Sequence, residues 1–152
     1  MKSLNDVYRK FGETAEAAQL LETELGNILL LIEGTEKGLL EKENKELART
    51  ILRKIEKSTL GRLLKSLENK LGGYENTENI FQNALNERNR LSHSFYREHN
   101  FRRNTPEGCQ IMIEDLEKMH KTILRAYSLT LALSGIDLES VDIPLPTSHL
   151  TI

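Results

Sequence analysis

Tryptophan is absent from the 152-residue chain, aromatic residues make up 5%, and there is a single cysteine, Cys109. One thiol excludes an intramolecular disulfide framework and suits a reducing compartment. Paired Cys/His spacing for zinc is missing, as are a GxxxxGKS/T phosphate loop, a GxGxxG turn and a GxSxG nucleophile elbow. These absences set aside P-loop and dinucleotide-binding chemistry, serine hydrolysis and structural zinc, and the sequence implies neither a metal nor a cofactor. The longest pure apolar run, ILLLI at 28–32, falls far short of the roughly 20 residues that span a bilayer, and no charged-then-apolar leader opens the chain. The expectation is a soluble, unexported, cytoplasmic protein with no membrane partner.

An overall excess of positive charge is also missing, with 21 Lys+Arg against 23 Asp+Glu, so any nucleic-acid site has to be local. Residues 1–35 carry three Lys/Arg against six Asp/Glu, and residues 136–152 carry none against three. By contrast ALNERNRLSHSFYREHNFRR, residues 84–103, holds five arginines and two histidines against two glutamates. A solvated helix face would account for such a stretch.

What is present in quantity is helical periodicity. Val7, Phe11, Ala15, Ala18, Leu21, Leu25, Ile28 and Ile32 step by three or four, predicting a long first helix despite Gly12 and Gly26, with Gly34 as its end. TEKGLLEKENKE is a connector or weak helix start, and Leu47, Ile51 and Ile55 resume the stripe. Ser58 and Thr59 interrupt it and can cap a fresh helix, which Gly72–Gly73 stops. A third long helix starts near Asn76 or Thr77 and runs into the arginine-rich stretch, and HNFRRNTPEG reads as a basic loop. Thr105 as N-cap with Pro106 at the first helical position opens the last helix. There Met112, Leu116, Met119, Ile123, Ala126, Thr130 and Leu133 form a narrow seam that ends at Gly135. The fold class is therefore all-α, an up-and-down bundle of four to five helices over residues 1–135. Residues 136–152, with two prolines, form an irregular C-terminal arm. His120 and His149 read as solvated side chains outside any site.

On a wheel turning about 100° per residue from Ile80, Leu91 falls at roughly 20°, Ala84 at 40°, Phe95 at 60° and Arg88 at 80°. Arg88 sits at the edge of the apolar stripe, where an arginine can bury its stem and keep its guanidinium wet. His93 lies about 140° from Arg88 on an ideal helix. The two converge on one substrate only through a local distortion or a second copy of the chain, which points to a dimeric site.

Arg88-Asn89-Arg90-Leu91-Ser92-His93 resembles the signature of the HEPN superfamily (higher eukaryotes and prokaryotes nucleotide-binding): an arginine, a polar residue after it, and a histidine four to six residues beyond. The resemblance covers roughly residues 5 to 135 and includes KSTLGRL, a motif on the penultimate long helix, nearby basic residues and one long helix afterwards. It implies an all-helical bundle and, in many members, a homodimeric, metal-independent RNA endonuclease. By position it makes His93 the general acid or base, Arg88 the phosphate clamp and Asn89 the residue that orients one of them. Arg90, Arg97, Arg102 and Arg103 would be ancillary contacts to the RNA backbone. The residue types suit the reaction: a histidine can take the 2′-hydroxyl proton near neutrality while a guanidinium holds the charged phosphate.

The resemblance further implies a toxin of a toxin–antitoxin or phage-defence pair, with an antitoxin or nucleotidyltransferase as partner. Some bacterial HEPN toxins carry a modifiable tyrosine two residues after the histidine. Here that position is Phe95, and the tyrosine comes one later, at Tyr96, which departs from that pattern. A second class stays open, a non-catalytic helical module that binds a nucleotide or a protein partner.

Overall fold

Ser3 opens the first helix, α1 (Leu4–Glu36), through a capping box: its hydroxyl accepts from the Asp6 amide at 3.3 Å and the Asp6 carboxylate accepts from the Ser3 amide at 2.8 Å. The structure, a computed structural model, describes residues 1–71 and 75–134, with side chains other than those of 70, 71 and 75–78. Gly34 does not end α1. The helix continues to Glu36, Gly34 giving room to Leu39, and Gly38, at φ +76°, supplies the left-handed turn that follows. Asn44 then caps α2 (Lys45–Glu56) by accepting from the Leu47 amide at 3.0 Å. Ser58 and Thr59 separate it from α3 (Leu60–Leu71).

The third long helix begins at Glu75 as α4 and stops at His93 rather than running on. Ser94 breaks it, at φ −138° and ψ −12°, and a short α5 (Phe95–His99) and a 3₁₀ turn (Asn100–Asn104) follow. Thr105 caps α6 (Pro106–Leu133), accepting from the Gly108 amide at 3.0 Å, with Pro106 at the position where a missing N–H costs nothing. Gly72, Gly73, Gly135, His149 and the expected arm at 136–152 lie outside the described residues. The class is the expected one, an all-α up-and-down bundle. Among the described residues there are six α-helices, more than the expected four to five because of the break at Ser94.

The long helices α1 and α6 pack along each other and α4 lies against α6, while α2 and α3 cover the C-terminal half of α1. Two apolar clusters result. In the larger, Leu21, Leu25 and Leu29 of α1 meet Ile51, Ile55, Leu60 and Leu63 of α2 and α3, with Phe81 and Ile123. In the smaller, Val7 of α1 meets Leu91, Phe95, Met112, Leu116 and Met119, with Phe11 packed on the edge. Gly26 lets α2 in close, since a Cβ there would sit 2.9 Å from the Ile55 side chain. Because α6 faces two neighbours, its buried stripe is broad rather than a narrow seam, and it includes Ile113, His120 and Leu124.

His120 consequently departs from its expected solvated place. It is 1% exposed, on the α6 ridge Leu116–His120–Leu124, and Lys10 Nζ of α1 lies 2.9 Å from its Nδ1. Among the described residues no helix is long and apolar enough to cross a membrane.

Candidate functional site

The arginine-rich stretch sits where α4 breaks, and a network of side chains holds the break in place. Ser94 Oγ meets the Arg90 carbonyl at 3.2 Å and Glu98 Oε1 at 2.6 Å. Arg90 joins three elements: its Nε donates to Glu98 Oε2 at 2.6 Å, its Nη1 to Glu87 Oε2 at 3.2 Å and to Asp115 Oδ1 at 3.0 Å, and its Nη2 to Asp115 Oδ2. A guanidinium fork over a carboxylate is the strong, two-pronged form of an ion pair. The Asp115 hydrogen bond, foremost, raises the Arg90 pKa. Burial pushes the Asp115 carboxyl up, but the bonds from Arg90 and His99 outweigh it and leave it below its usual range. Glu98 is also lowered, by the bond from Ser94 and then by Arg90.

His99 completes the network, with a partner at each ring nitrogen. Arg102 Nη1 lies 2.9 Å from His99 Nδ1, and His99 Nε2 lies 2.7 Å from Asp115 Oδ2. A guanidinium can only donate, so Nδ1 must be the bare nitrogen and Nε2 carries the proton given to Asp115. With both nitrogens engaged and only 4% exposure, His99 is a structural link rather than a free acid or base. Sequence reasoning missed it, though Leu91, Phe95 and His99 share one i, i+4 ridge that marks the histidine as inward-facing.

His93, the last residue of α4, is exposed. It lies in a shallow groove with Phe11, Leu91, Ser92, Phe95, Tyr96 and Arg97, and its ring makes no hydrogen bond among the described residues. Arg88 is half-buried and points toward α1, where its Nε donates to Glu22 Oε1 at 3.0 Å. Its Nη1 donates to Asn89 Oδ1 at 3.2 Å. Nη2 is left without a partner among the described residues. Among the described residues no bond links Arg88 to His93, and the chain does not bring the two together by itself.

The remaining predicted residues separate by use. Arg97 is exposed and donates to the His93 carbonyl at 3.2 Å, Arg102 is tied to His99, and Arg103 donates to the Tyr8 hydroxyl at 3.2 Å. Arg90, read as a backbone contact, has its guanidinium engaged by carboxylates. Tyr96 is 37% exposed and packs at 5.1 Å from Phe11 and 6.4 Å from Tyr8. Burial raises its phenol pKa. Beneath the stretch, the 3₁₀ turn presses onto the first turn of α6 so closely that a Cβ on Gly108 would lie 1.9 Å from the Arg102 carbonyl oxygen.

No family model, curated protein or solved structure matches the chain.

Proposed function

We propose that the chain is an RNA endonuclease needing no metal, working as a homodimer in which His93 and Arg88 of α4 line one cleft. The observation that supports it most is the contrast between the two histidines of the stretch: His99 is buried with both ring nitrogens engaged, whereas His93 is open to solvent in a groove with its ring unengaged. Arg88 adds to it, because Glu22 and Asn89 fix the guanidinium and leave Nη2 for a phosphate oxygen. In this reading His93 takes the ribose 2′-hydroxyl proton, the oxygen attacks the adjacent phosphorus, the P–O5′ bond breaks, and the 5′-oxygen leaves as a hydroxyl by taking a proton from the imidazolium of a His93 in the cleft. Arg88 holds the charge that builds on phosphate, and Asn89 orients Arg88. A two-fold axis near α4 brings the second copy's pair to the same cleft. The cytoplasm is its place of action and an antitoxin or nucleotidyltransferase its regulator.

The test is cleavage of single-stranded RNA in EDTA, with 2′,3′-cyclic phosphate and 5′-hydroxyl ends, DNA of the same sequence spared, and a dimer in sedimentation. His93→Ala, Arg88→Ala and Arg88→Lys each lower the rate by about 10²-fold or more, the lysine because a point charge cannot replace the planar fork. Equal rates for wild type and His93→Ala overturn the reading in favour of a non-catalytic binding module.

A further inference from the structure

The arginine-rich stretch is not the only concentration of positive charge. Arg53, Lys54, Lys57, Arg62 and Lys65 fall within 13 residues that contain one acid, Glu56. The turn at Ser58–Thr59 brings the end of α2 and the start of α3 together around a groove of about 450 Å³ lined by Lys54, Lys57, Ser58, Arg62, Lys65, Ser66 and Asn69. No carboxylate is among its lining residues. Lys54 is shared with Glu33 of α1 at 3.6 Å, while Lys57, Arg62 and Lys65 form no ion pair among the described residues. Two hydroxyls and an amide between the cations add neutral hydrogen-bonding groups.

Such a set suits an anionic chain with repeated phosphates, because each cation can neutralise one phosphate and the Ser66 hydroxyl and Asn69 amide can donate to its oxygens, while the Ser58 hydroxyl is given to the Lys54 carbonyl at 2.8 Å. A membrane surface fits less well. The apolar side chains Ile51, Ile55, Leu60, Leu63, Leu64 and Leu67 are buried in the core, and among the described side chains of the two helices Leu52 alone is an exposed large apolar residue. The groove is also well separated from His93. Phe11 lines the His93 groove and Gly26 faces Ile55 of α2, so about 20 Å of α1 lies between the two places.

We propose that the groove between α2 and α3, lined by Lys54, Lys57, Arg62 and Lys65, holds the phosphate backbone of single-stranded RNA at a place remote from His93. The inference rests on the ribonuclease reading for its choice of polyanion. It divides the work: the α4 end cuts, and the α2–α3 groove anchors the strand several nucleotides away.

Fluorescence anisotropy with a labelled 20-nucleotide single-stranded RNA, over a series of KCl concentrations, tests it. His93→Ala serves as the background so that the strand stays whole. Combining Lys57→Gln, Arg62→Gln and Lys65→Gln weakens binding at least tenfold at low salt and reduces the slope of log K against log salt by about 2, since each phosphate on a single strand contributes about 0.7. Lys57→Arg with Lys65→Arg keeps both values, and circular dichroism of the triple variant matches the parent. With His93 restored, the triple variant loses cleavage of the 20-mer at subsaturating concentration but cleaves a dinucleotide, too short to reach the groove, at the parent rate. Unchanged affinity and slope in the triple variant overturn the groove while leaving the nuclease reading to its own test. Groove-dependent binding without any cleavage keeps the groove and removes the nuclease. Triple-variant-sensitive binding to phosphatidylserine vesicles, with none to RNA, assigns the face to a membrane and overturns the proposal.

Discussion

Residues 84–103 carry five arginines, and residues 53–65 carry two arginines and three lysines, yet the two regions use their charge in opposite ways. In the first, Arg88 is held by Glu22, Arg90 by Glu87, Glu98 and Asp115, and Arg102 by His99. In the second, Lys57, Arg62 and Lys65 line an open groove that contains no carboxylate. The difference lies in where the acids are. Glu22 is 66 residues from Arg88 and Asp115 is 25 from Arg90, so a local count of basic residues says how much charge a segment has but not how much of it faces a ligand. The arginine run, five cations in 20 residues, largely braces a broken helix, and the run with five in 13 residues leaves Lys57, Arg62 and Lys65 facing an open groove.

The largest break in that contrast should come from Gly108→Ala. Its Cβ would meet the Arg102 carbonyl oxygen at 1.9 Å, backbone against backbone, so the 3₁₀ turn has to move off α6 and Arg102 leaves His99. The expected cost is about 3 kcal/mol, at the upper end for overpacking, read from the midpoint of urea unfolding. Asp115→Ala comes next. It strips Arg90 of its fork and His99 of its acceptor; a fully buried pair loses about 3–5 kcal/mol on such a change, and with a fifth of the Asp115 side chain exposed about 2–3 kcal/mol is expected here. The counterpart Lys57→Gln in the groove leaves the same unfolding curve unmoved, as a surface substitution without a partner should.

The smallest effect sharpens the comparison through pH. Asp115 and Glu98 have folded-state pKa values below their ordinary 3.8 and 4.5, so the folded state binds these protons more weakly than the unfolded chain does. Their contribution is whole above about pH 4.5 and is lost as pH falls through the lowered folded values. Unfolding curves from pH 6 to pH 2 should therefore show a steeper acid limb in the parent than in Asp115→Asn, while the triple groove variant keeps the parent slope. Equal acid limbs for parent and Asp115→Asn would mean that the network does not bias folding.

Much of the architecture was open to reading because it rests on local rules. Thr105 with Pro106, the Ser58–Thr59 interruption and the three-four stepping of α1 each depend on neighbours within a turn or two. Gly34 misled as a helix end because its small side was needed for Leu39 and the positive φ fell to Gly38. The break at Ser94 has no signal of its own: Ser94 and Glu98 are ordinary helix-surface residues until Arg90 is pulled toward Asp115 on another helix. His120 was misplaced for a similar reason, since only the two-sided packing of α6 widens its buried stripe enough to enclose position 120. At the candidate site, the identities of Arg88, Asn89 and His93 came from a motif, but the tie of Arg88 to Glu22 and of His99 to Asp115 required partners that the linear order keeps apart.

The division of α1 between two apolar clusters bears on how the protein is made. Its C-terminal half, Leu21 to Leu29, meets α2 and α3 and can be covered once about the first 70 residues have left the ribosome. Its N-terminal half around Val7 and Phe11 has partners only from Leu91 onward and chiefly within α6. During synthesis the first-made turns of the chain therefore wait longest for cover, since domains acquire structure from the N-terminus only as far as their partners exist. Ribosome pausing before residue 116 would leave Val7 and Phe11 bare and α4 without Asp115 and Leu116. The contacts of α1 with α2 and α3 can then form before those around Val7, although the larger cluster too is completed only when Ile123, Leu124 and Ala126 of α6 arrive.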